Sequence, residues 1–130
     1  MRDLKVSLTI GYETIENIFV TALEGGSNYW YWLKDFDVDA VREATPSFNG
    51  SLSERICYAI MNCDVPVNVY DCEDKEILLG TLTVEGIEKN LQVLAAEYPQ
   101  VVIDLLSENY DVMDADIALQ FMLIGEVFYG

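Results

Sequence analysis

Histidine is absent from this 130-residue chain, and lysine plus arginine total only 7. The first absence removes the usual general base and the usual activator of a cysteine nucleophile. The second removes the cations that neutralise phosphate, so direct binding to nucleic acid or to an anionic membrane is not expected. Cysteine is scarce: Cys57, Cys63 and Cys72 make an odd set with no Cys-x-x-Cys spacing. That excludes a disulfide framework and a zinc site as first readings, and free thiols in a reducing compartment fit better. No apolar run is long enough to span a bilayer. Met1-Arg2-Asp3-Leu4-Lys5 has none of the layout of a secretory signal, so a cytoplasmic location is expected. No P-loop, Gly-x-Gly-x-x-Gly or Gly-x-Ser-x-Gly pattern is present. Paired carboxylates could act on a glycoside, but 23 acids give no way to select a pair. No enzyme and no cofactor is expected.

What is there is acid and apolar side chain. Asp plus Glu is 23, the formal charge is −16, and apolar residues make up 52%. The length suits one domain, and this apolar fraction supports a core despite the charge. The charge has two readings: a well-solvated surface, or a surface that imitates the phosphate charge of nucleic acid and is aimed at a basic protein.

The hydrophobic pattern predicts α+β, with a small and mostly antiparallel sheet and about five helices. Lys5–Ile10 alternates and reads as a strand. Ile15, Ile18, Phe19, Ala22 and Leu23 form one helical face. Gly25-Gly26 is expected to stop that helix through the left-handed conformation. Asp37–Gly50 reads as a loop with one helical turn at Asp39–Ala44. Ser51-Leu-Ser-Glu54 is a capping box opening a helix that ends near Asp64. Pro66–Cys72 and Glu76–Leu82 read as a hairpin, with Gly80 at a bulge. Thr83 caps a helix with Ile87, Leu91, Leu94 and Tyr98 on one face, and Pro99 opens a short helix to Leu106. Asp111 and Asp114 are alternative caps for a last helix, Ala115–Ile124. It is apolar nearly all round, the pattern of a buried central helix. Glu126–Gly130 is a terminal extended piece and a candidate C-terminal strand.

Candidate functional residues concentrate in one segment. Asn28, Tyr29, Trp30, Tyr31 and Trp32 hold both tryptophans, and Asp35, Asp37 and Asp39 follow within seven positions. Aromatic side chains anchor interfaces because they bury much area at little entropy cost. They also fill cores. As a strand, the segment would put Trp30 and Trp32 on one side and Tyr29 and Tyr31 on the other. The Asp35-x-Asp37-x-Asp39 spacing starts like a calcium loop, but Ala40 stands where the turn glycine is needed and Pro46 where the bidentate acid is needed. A solvated acidic loop is the reading. Gln120 is the polar side chain that follows Asp116 on the last helix. Its amide needs partners, either backbone groups or the contents of a pocket.

Ala22-Leu-Glu-Gly-Gly-Ser-Asn-Tyr-Trp30 and Asp114-Ala-Asp-Ile-Ala-Leu-Gln-Phe-Met-Leu-Ile-Gly-Glu-Val-Phe-Tyr-Gly130 resemble segments of small phage and prophage proteins of unassigned function. The resemblance implies a phage gene product acting in the bacterial cytoplasm, and no particular activity. Together these features lead to a non-catalytic protein that binds a host or phage protein, with a basic nucleic-acid-handling protein as the natural target of inhibition or mimicry. A small-molecule binder, with Asn28, Tyr29, Trp30, Trp32 and Glu126 walling a pocket, is the first alternative. A self-assembling homo-oligomer is the second.

Overall fold

A computed structural model describes residues 1–4 and 8–130. Its elements run α1 (Tyr12–Thr21), a π-helical turn (Ala22–Gly26), β1 (Tyr31–Trp32), α2 (Asp35–Ala44), α3 (Leu52–Cys63), β2 (Val67–Asp71), β3 (Leu78–Leu82), α4 (Val84–Glu97), α5 (Pro99–Leu106) and α6 (Val112–Ile124). The architecture is α+β, and among the described residues the strands form one antiparallel sheet in the order β1-β2-β3.

The third strand is not at either end of the chain. The expected strand Lys5–Ile10 lies partly outside the described residues (Lys5 to Ser7), and Leu8–Ile10 do not pair in the sheet. Glu126–Gly130 does not pair in the sheet: Glu126 lies in a bend and the residues after it have no regular structure. The third strand instead comes from the aromatic segment, with Tyr31 opposite Asp71 and Trp32 opposite Tyr70. In the hairpin, Val69 faces Gly80 but Tyr70 faces Leu78, so Leu79 is the extra residue of a bulge beside Gly80. A Cβ on Gly80 would meet Leu123 at 3.0 Å, which lets α6 lie close on β3.

Several local signals act as expected. Ser51 and Glu54 complete their capping box, and Thr83 accepts a hydrogen bond from the Gly86 amide. Pro99 begins α5. Asp111 is the cap of α6: it accepts from the Asp114 amide, and the Asp114 carboxylate accepts from the Asp111 amide. Gly125 closes α6 in the left-handed conformation, at φ 84°. Helix α6 is the buried centre, packed against α1, α4, α5 and β3.

Two local expectations are corrected. Asp35–Ala44 is a full helix rather than an acidic loop. Its inner face carries the buried Asp37, Val41 and Thr45 with the half-buried Val38, so its apolar period rests on two valines among acids. The carboxylates of Asp35 and Asp37 sit in its first turn, where the helix dipole favours them. The second correction concerns Gly25-Gly26. The helix does end at Gly26, but neither glycine has a positive φ; it stops by widening into a π-helical turn rather than through the left-handed conformation. Gly26 is needed for space: a Cβ there would lie 2.9 Å from both the Cγ1 and the carbonyl oxygen of Val112.

Candidate functional site

The aromatic segment divides at the strand boundary. Trp30 lies in the turn before β1 and is only 1% exposed, whereas Trp32 in β1 is 41% exposed and carries the Lys75 ammonium 3.7 Å from its ring centroid. The two indoles therefore do not share a face. Tyr29 is 51% exposed, while Tyr31 is half-buried and donates its hydroxyl to the Leu23 carbonyl.

What positions Trp30 is a carboxylate 86 residues away. Asp116, in the second turn of α6, is 7% exposed and accepts four side-chain hydrogen bonds. Oδ1 accepts from the Ser27 hydroxyl at 2.7 Å and the Trp30 indole N–H at 2.8 Å. Oδ2 accepts from the Tyr29 hydroxyl at 2.5 Å and the Gln120 amide at 3.2 Å. An indole N–H can only donate, so these partners suit an ionised, acceptor-only group. All four are neutral, so the charge is stabilised by oriented dipoles rather than by a cation. Burial of its hydroxyl pushes the Tyr29 pKa up to about 12, and the bond to Asp116 and the Asp116 charge push the same way.

Gln120 extends the cluster to the end of the chain. Its Oε1 accepts from the Phe128 amide at 2.9 Å and the Tyr129 amide at 2.8 Å, and its Nε2 donates to the Tyr129 carbonyl at 3.1 Å. One side-chain amide thus serves the tail as a backbone neighbour would in a sheet, and the partners that its burial demanded are these backbone groups together with Asp116. The Tyr129 ring stacks on Trp30, with centroids 5.2 Å apart and planes at 7°.

Beside this cluster lies an open groove of about 790 Å³ between the start of α6 and the tail. Val112, Met113, Ile117, Val127 and the Tyr129 ring give it apolar walls, and the charged side chains lining it are Asp111 and Asp116. Met113 is 69% exposed there.

Of the residues singled out in the sequence, Tyr29 and Trp30 join the Asp116 cluster, and of those two Tyr29 alone lines the groove. As contact residues, Trp30 and Asp37 are corrected: both are buried, Trp30 because the core takes its volume and Asp37 because α2 turns it inward. One Asp37 oxygen accepts from Asn68 at 3.3 Å, and the other has no hydrogen-bond partner among the described residues. Asn28, Trp32, Asp35, Asp39 and Glu126 are exposed but lie apart from the groove lining. Ser27, Val112 and Met113 were not singled out, and Asp116 stood with Asp111 and Asp114 only as one of three acids at the start of the last helix, where capping explains two of them. Asp116 carried a readable signal, since it stands four residues before Gln120 on the same face of an otherwise apolar helix.

Comparison with protein-family models, curated proteins and solved structures returned no match. No helix among the described residues is long and apolar enough to cross a membrane.

Proposed function

We propose that this protein acts by contact, binding a protein partner of basic character and making or breaking no bond itself. The observation that carries the reading is the groove at the start of α6, where apolar side chains stand exposed and the charged lining is all acid. Exposed apolar surface rimmed by polar groups marks interaction sites. A formal charge of −16 adds a long-range field that speeds encounter with a cationic partner. Cys57 gives little support to covalent catalysis: burial pushes its thiol up to about 12, where little reactive thiolate is present. The resemblance to phage proteins belongs to the same proposal, with the bacterial cytoplasm as the setting. Its two segments meet at the Asp116 cluster, through Ser27, Tyr29 and Trp30 on one side and Asp116, Gln120 and Tyr129 on the other.

The test is affinity capture from bacterial lysate, followed by quantitation of the bound protein. A stoichiometric partner with a basic sequence, whose affinity falls as salt rises, supports the reading. No stoichiometric partner at moderate salt counts heavily against it.

A second reading, a small-molecule binder, has one observation in its favour: a groove of about 790 Å³ falls within the size range of ligand sites. Thermal-shift screening separates the two, because a tight ligand raises the Tm by binding the folded state alone.

A further inference from the structure

The geometry points to a specific occupant for the groove: a segment of the partner protein that carries arginine or lysine next to apolar side chains, with the cation at Asp111 and the apolar groups between Met113 and Val127. This inference rests on the contact reading and names its site and chemistry.

Charge decides the sign of the occupant. The six residues from the cap of α6 to Asp116 include the carboxylates of Asp111, Asp114 and Asp116. The helix N-terminus offers only about half a positive charge against them. Burial pushes the Asp114 carboxyl up, and the charges of Asp111 and Asp104 push it further, although the bond from the Asp111 amide pulls it down. The mouth of the groove is therefore lined by carboxylates and by no basic side chain, so it favours a cationic occupant. Asp111 is exposed and uses Oδ1 for the helix cap, and its carboxylate stands at the groove edge for an ammonium or guanidinium. Asp116 lies deeper, with its lone pairs given to Ser27, Trp30, Tyr29 and Gln120. It attracts a cation through its charge without being free to bond it directly.

Shape decides between a peptide segment and a small molecule. A small-molecule site encloses most of its ligand. Here Val112 and Met113 stand more than half exposed on the groove wall, so a compact ligand would leave them wet. A chain segment laid between α6 and the tail covers them, as apolar anchors do in other peptide grooves.

The experiment is an NMR titration of the intact protein with three synthetic peptides: an amphipathic leucine–arginine peptide, its leucine–glutamate counterpart and a serine–arginine counterpart. The expected result is that the leucine–arginine peptide shifts the amides of residues 111–117 and 126–130, and that the other two bind at least about tenfold more weakly. Met113→Lys is expected to weaken the leucine–arginine peptide about tenfold, by loss of apolar contact and by charge repulsion. Phe36→Lys, which adds the same charge to an exposed position on α2, is expected to change it much less. Equal weakening by both variants, or shifts spread over the acidic surface, would overturn the groove assignment while leaving a basic partner in place. Equal binding of the glutamate peptide would overturn the charge assignment. Binding of hexylammonium as tight as that of the peptide would overturn the segment in favour of a small cation. No shift of the groove amides with any peptide overturns the inference, and lysate capture then reports separately on the contact reading.

Discussion

Asp116→Asn sets two large effects against each other at one buried atom group. The carboxylate is 7% exposed with no cation among its four hydrogen-bond partners, so its desolvation costs several kcal/mol. Against that stand four donors to a charged acceptor, each contributing about 1.5–3 kcal/mol. Asparagine removes the charge and places an N–H₂ where one oxygen was. The Ser27 and Tyr29 hydroxyls can turn and accept from it, but the Trp30 indole N–H and the Gln120 amide N–H₂ cannot. Gln120 cannot flip freely either, because its oxygen holds the Phe128 and Tyr129 amides. One donor must therefore face another donor. Weakening of the remaining bonds and this mismatch together cost about 5 kcal/mol, and relief of desolvation returns about half of it. The variant is expected to be less stable by about 2–3 kcal/mol, a Tm lower by roughly 10 °C for a chain of this size. Urea unfolding followed by circular dichroism measures it. The Trp30 indole N–H resonance supplies a local readout and should move upfield as its acceptor loses charge. A variant as stable as the parent, or more stable, would refute the reasoning by showing that desolvation exceeds the four bonds.

Asp37→Asn has the opposite expected sign. Burial raises the Asp37 carboxyl above its ordinary value, against the opposing Asn68 bonds and the Lys34 charge. The folded state then holds this proton to higher pH than the unfolded chain does. Ionised Asp37 subtracts stability above the folded value, and the deficit vanishes as pH falls through that value into the ordinary aspartate range. Asparagine is expected to add about 1 kcal/mol at pH 7, the scale of one unmade hydrogen bond at a buried oxygen. Its advantage should narrow as the pH falls through that window, and a constant or widening gap in pH-resolved urea melts would count against it. Gly26→Ala puts a methyl 2.9 Å from the Val112 carbonyl, which is fixed in the first turn of α6. A loss of about 1–3 kcal/mol is expected, and a change within a few tenths would show that the contact has slack. Gln120→Met keeps the volume and removes the bonds to the tail. Hydrogen exchange at the Phe128 and Tyr129 amides should become fast while α6 stays protected, and unchanged tail protection would remove Gln120 from this role.

Most of the helices were legible because each has both a period and a stop signal. Ile15, Ile18, Phe19, Ala22 and Leu23 are all buried, as their spacing requires, and Ser51, Thr83, Pro99 and Gly125 punctuate the chain where their chemistry predicts. Helix α2 reads as a loop in the sequence, because its apolar period rests on Val38 and Val41 alone and the acids around them resemble a solvated turn. The central hairpin could be read, whereas β1 could not. A strand of two residues carries too little alternation to register, and β1 is defined by pairing with Asp71 and Tyr70 across about 40 positions.

The candidate site was half legible for a related reason. A turn, a cap or an amphipathic face is a property of neighbours in sequence, while the Asp116 cluster is a property of two segments more than 80 residues apart. Each half gave a sign of it. An aromatic run was too rich to ignore, and an amide and a carboxylate stood together on a helix that otherwise has no wet face. Neither sign names the other, because any buried donor satisfies a carboxylate and any buried acceptor satisfies an indole. Gly26 shows the same limit from the side of sterics. Read along the chain, a Gly-Gly pair ends a helix by taking a left-handed φ. In the fold it lets that helix widen and touch the backbone of Val112, so the residue is required by its distant neighbour and not by its own torsion. The groove is built on this contact: Gly26 and Val112 both line it. The side chain that narrows the approach at Gly26 is therefore expected to alter the groove as well as the stability.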